Sequence, residues 1–150
     1  SMSLYETIQS DMYKAMKSSD KFKASTLRVA LAKLKDKKIE KREDLNQNEE
    51  IKIIQNLVKQ RKEAADIYEK NDRSELMKNE MDELKILSMY LPQMMSEQEL
   101  NELIKEVISD VGATSMSDMG KVMPEVMKRS EGKADGKMTQ TIVSNILQQA

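Results

Sequence analysis

A chain of 150 residues with 25 Lys and Arg against 26 Asp and Glu carries a formal charge of −1, and this balance argues against a generally basic nucleic-acid coat. It contains no Cys and no His, which excludes disulfide frameworks, thiol chemistry, Cys-based zinc sites and serine-triad or zinc-hydrolase mechanisms that need an imidazole. With one Phe, four Tyr and no Trp there is little platform for stacking single-stranded bases.

The two strongest local punctuation marks, Gly and Pro, fall only in the last part of the chain: Pro92, Gly112, Gly120, Pro124, Gly132 and Gly136. The sequence therefore predicts long helices with few sharp turns over residues 2–91 and a domain of three short helices over 92–150. In the first part, Leu4, Ile8, Met12 and Ala15 or Met16 line one helix face. Ala24, Leu27, Leu31 and Leu34 line a second, with Asp20 as its N-cap. A third helix begins at Asn46, where Glu49 completes a capping box, and carries Ile51, Ile54, Val58, Arg61, Ala65 and Tyr68 on one seam. A fourth begins near Asp72, with Glu75 three residues on, and carries Met77, Met81, Leu84, Leu87 and Leu91. It ends at or before Leu91, because Pro92 disfavours the α conformation in the residue before it.

The second part opens with the capping box Ser96-Glu-Gln-Glu99, followed by Leu100, Leu103 or Ile104, Val107, Ile108 and Val111, with Gly112 placed for a left-handed C-cap. A short helix around Ser117 to Lys128 carries Met119, Val122, Met123 and Met127, and Pro124 either kinks it or starts a new turn. A last helix starts at Asp135 and carries Met138, Ile142, Val143, Ile146 and Leu147. No segment alternates long enough for a strand, so the fold class is all-α. No apolar run approaches a membrane span and no charged-then-apolar leader precedes the first helix, which predicts a soluble, cytoplasmic protein with no membrane partner.

Charge is distributed unevenly. Residues 92–118 hold one basic and six acidic side chains, whereas 119–150 hold five basic and three acidic. Glu97 and Glu99 suit a helix start. Lys121, Lys128, Arg129, Lys133 and Lys137 form a candidate phosphate-contacting edge, to which the backbone amides at the Asp135-Gly136 helix start can add. Arg61, on an apolar seam, is read as the partner of a carboxylate, with Glu80 and Glu83 on the fourth helix as its structural ion-pair candidates. Met at helical spacing reads mainly as core. No phosphate-binding loop, dinucleotide fingerprint or calcium loop occurs, so no cofactor, metal or catalytic residue is assigned.

The stretches Lys59-Gln-Arg61, Glu63-Ala-Ala65, Asp72-Arg73, Leu76, Glu80, Glu83, Leu87 and Tyr90-Leu91-Pro92 resemble the YqeY-like proteins of bacteria. So do Val111-Gly112-Ala113, Asp118-Met-Gly-Lys-Val-Met123 and Gly132-Lys-Ala-Asp-Gly136. The same region is similar to the C-terminal helical and tail region of GatB, a subunit of the amidotransferase that acts on Glu-tRNA(Gln) or Asp-tRNA(Asn). The resemblance implies a helical part followed by a tail that contacts the tRNA body. In that enzyme activation by ATP and the ammonia supply reside elsewhere, so what transfers is a binding role. The expectation is a non-catalytic module that binds tRNA or structured RNA through Lys121, Lys128, Arg129, Lys133, Lys137 and Gly136. The alternative is a protein-interaction module docking on an amidotransferase or aminoacyl-tRNA synthetase. Carbon–nitrogen ligase activity, using glutamine as amido donor, is a third reading that rests on family association alone.

Overall fold

The computed structural model describes residues 2–149, leaving Ser1 and Ala150 outside the described residues. The described residues form seven α-helices and one 3₁₀ turn, with no strand. The chain divides into two compact units, residues 1–91 and 92–150, each with its own apolar core.

The first unit is two helical hairpins, α1 (Leu4–Lys17) with α2 (Lys21–Lys41) and α3 (Gln47–Lys70) with α4 (Ser74–Ser88). Its core is built on Ile8, Leu27, Leu34, Ile54 and Leu87, all essentially sealed from solvent. Each contributes on the order of 2 kcal/mol of apolar burial. The helix starts follow from side-chain chemistry. Asp20 accepts from the Lys23 amide at 3.1 Å, and Asn46 and Glu49 exchange reciprocal bonds of 2.9 and 3.0 Å. The same Glu49 carboxylate holds Lys41 Nζ at 2.6 Å, so the start of α3 is fastened to the end of α2. Midway along α3 the buried residue is Leu57, whereas Val58 and Tyr68 of the expected seam are half-buried. The strip there runs one residue off the one read from spacing, because α3 must face both α4 and the first hairpin.

Lack of glycine does not prevent sharp reversals in this unit. The chain turns between helices by placing Ser19 (φ 61°), Arg42 (φ 64°) and Asp72 (φ 55°) in the left-handed region. After α1, the Asp20 amide reaches back to Ala15 O at 2.9 Å, and after α3 the Arg73 amide reaches Tyr68 O at 2.8 Å. Both are closures of the kind glycine usually supplies. Asp72 is consumed in that reversal, so it does not cap the fourth helix. α4 starts at Ser74, with Arg73 at the cap position and no side-chain cap bond.

One long-range polar contact joins the hairpins. Glu50, on α3, is only 4% exposed. Its two carboxylate oxygens accept from the Leu4 and Tyr5 amides at 3.3 and 2.9 Å, beside the Ser3 cap on the Glu6 amide at the N-terminus of α1. Tyr90 supplies a second tie: its hydroxyl donates to Asp11 at 2.6 Å, and burial first, then that carboxylate, pushes the phenol well above its ordinary pKa.

The second unit packs α5 (Glu97–Val111), a 3₁₀ turn (Met116–Asp118), α6 (Met119–Arg129) and α7 (Gly136–Gln148) around Leu100, Ile104, Val107, Val122, Val126, Val143 and Leu147. Gly112 ends α5 at φ 68°, and Ser96 and Glu99 cap it reciprocally. Pro124 does not restart its helix. α6 is continuous through it, and the exposed ring costs one backbone bond to Gly120 O.

Two substitutions probe the first unit. Glu50→Ala leaves two buried-end amides without an acceptor and lowers unfolding free energy by about 2 kcal/mol in denaturant titration. Ser19→Gly relieves the left-handed strain of an exposed side chain and raises stability by up to about 1 kcal/mol in the same measurement.

Candidate nucleic-acid interface

α6 carries two cations whose relation depends on its continuity. Lys121 and Lys128 are seven residues apart, and because α6 runs unbroken through Pro124 they lie on one face, about 10 Å apart along the axis. Both are exposed. Lys121 has a loose carboxylate partner in Asp118 at 3.8 Å and keeps a side chain 70% exposed. Among the described residues Lys128, Lys133 and Lys137 have no ion-pair partner.

Arg129 is placed differently from the lysines. Its guanidinium donates to Asp110 at 2.7 Å and to Glu125 at 3.0 Å, and Glu106 lies 3.7 Å away. These bonds, Asp110 first, push its already high pKa further up. Arg129 is thus a brace between α6 and the acidic face of α5, with three carboxylates in the place where a phosphate would sit. Glu125, four residues before it on the same helix, is the part of this arrangement that spacing makes visible; the approach of Asp110 needs the fold.

The loop from Ser130 to Asp135 is held at every step. Glu131 (φ 50°) and Gly132 (φ 79°) are both left-handed. The Lys133 amide donates to Ser130 O at 2.9 Å, and Lys133 O accepts from the Met95 amide at 2.7 Å. Ala134 is 1% exposed and belongs to the core. The Lys133 side chain therefore projects from a fixed backbone. At the start of α7, Asp135 Oδ1 accepts from the Lys137 and Met138 amides at 2.8 and 3.0 Å. Those two amides are occupied by a carboxylate, so the helix start offers an anion less than its sequence implies. Gly136 is the first residue of α7, and a Cβ there meets nothing within 4 Å; the same holds for Gly120. Neither crowding nor left-handed φ requires glycine at these two positions. Lys137 shares a shallow cleft of about 350 Å³ with Glu97, Asp135, Met138, Thr141 and Ile142.

The remaining candidate residues belong to the first unit. Arg61 Nε, on α3, lies 2.7 Å from Glu83 Oε2 and 3.8 Å from Glu80 Oε2, on α4. Burial, then the neighbouring Glu83, raises the Glu80 carboxyl above its ordinary range, against the pull of Arg61. This trio fastens the α3–α4 hairpin and belongs to a different unit from the tail cations. Among the described residues no group of three or more acidic side chains is arranged to hold a metal ion. No helix among the described residues is long and apolar enough to cross a membrane.

The caps of this second unit carry an acid dependence. Amide donors at Thr114 and Ser115 hold the Asp118 carboxyl below its ordinary range, and the Ser96 amide does the same for Glu99. A depressed folded-state pKa contributes stability above the unfolded value and loses it as pH falls through the folded one. Thermal melts should therefore weaken from about pH 5 downward, and Asp118→Asn with Glu99→Gln should flatten that acid slope while leaving its alkaline side unchanged.

A profile of the Yqey-like protein family matches residues 5–147. Similar curated proteins include the yeast protein named altered inheritance of mitochondria protein 41, mitochondrial. The Kluyveromyces lactis form is 30% identical over 108 residues, covering 69% of this chain and 58% of that protein. The Lachancea thermotolerans form is 28% identical over 113 residues, covering 73% and 60%. The Eremothecium gossypii form is 34% identical over 85 residues, covering 56% and 46%. The chain thus spans three fifths or less of the length of these relatives, which are mitochondrial by name. With a match running through both units, the chain belongs to the Yqey-like protein family.

Proposed function

We propose that this chain is a non-catalytic RNA-binding accessory module, with tRNA or another structured RNA as its partner. The observation that carries the reading is the group of exposed lysines on a rigid frame, none closely held by a carboxylate: Lys121 and Lys128 on one face of α6, Lys133 on the fixed loop, and Lys137 at the start of α7. Arg129 supports the frame and is not itself a phosphate contact, since three carboxylates surround it. Phosphate contacts of this kind position an RNA by shape and carry no base sequence. The second unit contains no aromatic residue on which a base could stack. Gly120 and Gly136 add bare backbone beside the lysines, and nothing inside the protein uses that space.

Docking on an amidotransferase or synthetase is the competing reading. The tail methionines give it limited support, because Met119, Met123 and Met127 pack against the core of their own unit and only Met116 and Met138 of the second unit's helices stand exposed. Carbon–nitrogen ligase activity rests on family association alone.

Binding of a tRNA transcript measured across a salt series tests the proposal. Lys133→Gln with Lys137→Gln should weaken binding and lower the salt slope by about one for each cation removed. Gly136→Ala should leave the melting temperature unchanged or raise it, yet weaken RNA binding. Absence of binding by the unaltered chain at low salt, or retention of full affinity by the double lysine variant, would overturn the reading.

A further inference from the structure

The densest positive charge in the chain lies outside the tail. Between residues 21 and 42 there are nine Lys and Arg against two acidic residues, although residues 1–91 as a whole hold 19 basic and 17 acidic side chains. α2 and its cap Arg42 make up this segment. One face of α2 is buried through Ala24, Leu27, Ala30, Leu31 and Leu34. Beside that face Lys21, Arg28 and Lys35 recur at seven-residue intervals, and Arg42, the C-cap, follows at the same interval; all four are exposed. A seven-residue step is close to two turns, so Lys21, Arg28 and Lys35 form one stripe with cations about 10 Å apart over about 20 Å, which Arg42 extends from the helix cap.

What separates this stripe from an ordinary charged surface is the placement of the carboxylates. The cations that flank its C-terminal half, Lys33 apart, are neutralised from within: Lys37 by Glu40 at 3.5 Å, Lys38 by Asp44 at 3.1 Å, and Lys41 by Glu49 at 2.6 Å and Glu43 at 3.5 Å. Among the described residues none of the four stripe cations has a carboxylate partner; Arg28 touches only the Met16 sulfur, at 3.9 Å. At its C-terminal end the stripe runs into a cleft of about 590 Å³ lined by Lys35 and Arg42 together with Tyr5 and Ile39. The acids on that wall, Glu43 and Asp44, are those already paired with Lys41 and Lys38. Arg42 reaches this position in a left-handed conformation, a strained backbone for a long side chain.

We propose that the α2 stripe of Lys21, Arg28, Lys35 and Arg42 is an RNA-backbone contact in the first unit, independent of the tail lysines. The evenly spaced row of unpaired cations is complementary to the regularly spaced phosphates of a polyanion. An anionic membrane surface fits less well. Of the exposed apolar residues of α2, Phe22 and Val29 lead on one line to Asp36, and Ile39 stands at the C-terminal end among Lys35, Lys38 and Arg42, so no continuous apolar face runs beside the stripe. The inference rests on the proposed RNA-binding role and deepens it by naming a second contact to the same kind of partner.

The experiment compares three charge-removing pairs in the full chain, with folding checked by circular dichroism, against one tRNA transcript over a salt series starting near 50 mM. Arg28→Gln with Lys35→Gln cuts the middle of the stripe. Lys37→Gln with Lys38→Gln removes the same charge from the paired flank, and Lys133→Gln with Lys137→Gln removes it from the tail. The stripe pair should weaken binding and reduce the salt slope by about two, and the flank pair should leave both near the unaltered values. Arg28→Lys with Lys35→Arg should bind as the unaltered chain does. Equal losses from stripe and flank would mean net charge alone acts and would overturn the inference, as would an unchanged stripe variant. If the tail pair fails while the stripe pair binds normally, the tail contact stands and the stripe falls. If the stripe pair fails while the tail pair binds normally, the stripe stands and the tail contact falls. Binding to phosphatidylserine-containing vesicles in place of RNA would also overturn the inference.

Discussion

With 25 cations and 26 carboxylates on one small chain, the governing constraint is which charges find partners within their own unit. The close pairs are used to fasten elements. Glu49 ties Lys41 across the α2–α3 turn, Glu83 ties Arg61 across the α3–α4 hairpin, and Asp110 ties Arg129 across α5 and α6. Glu50 does comparable work without a cation, since the partial positive charge of the α1 N-terminus stands in for one. Among the exposed cations that this pairing leaves without close carboxylates, one group in each unit is brought together along a helix. Net charge hides this; the allocation of partners displays it.

Exposed ion pairs contribute little free energy each, so the pairing matters less for how firmly the chain folds than for what its surface offers. A lysine with a carboxylate at 2.6 Å, as Lys41 has, must exchange one anion for another to bind phosphate. A lysine without one releases only counterions. The same reasoning moves Arg129 from contact to brace and directs attention to residues two turns apart on α2 and α6, where continuous helix keeps unpaired cations in line.

Much of the helical order was legible because it depends on short-range chemistry. Asn46 with Glu49 and Ser96 with Glu99 show their capping boxes in the three-residue spacing, and Gly112 shows its left-handed cap. Other features were hidden for physical reasons. Ser19, Arg42 and Asp72 turn the chain without glycine, so turn chemistry has no residue signature there, and the start of α4 is misplaced by two residues as a result. Asp135 is recognisable as a cap, but its occupation of both amides that an anion would use emerges only with the geometry. The α2 stripe escaped a count by domain because the acids of α1, α3 and α4 offset it arithmetically while lying on other helices.

The aliphatic core of the second unit has a consequence of a different sort. Every Phe and Tyr of the chain, namely Tyr5, Tyr13, Phe22, Tyr68 and Tyr90, falls before residue 92. Near-ultraviolet absorption and fluorescence therefore report the first unit alone, and the second is optically silent except through its amide bonds. Melting followed at once by tyrosine emission and by far-ultraviolet dichroism would separate the two cores without any engineered label. Coincident curves would mean that they unfold together, and a dichroism change lacking an emission counterpart would belong to the tail.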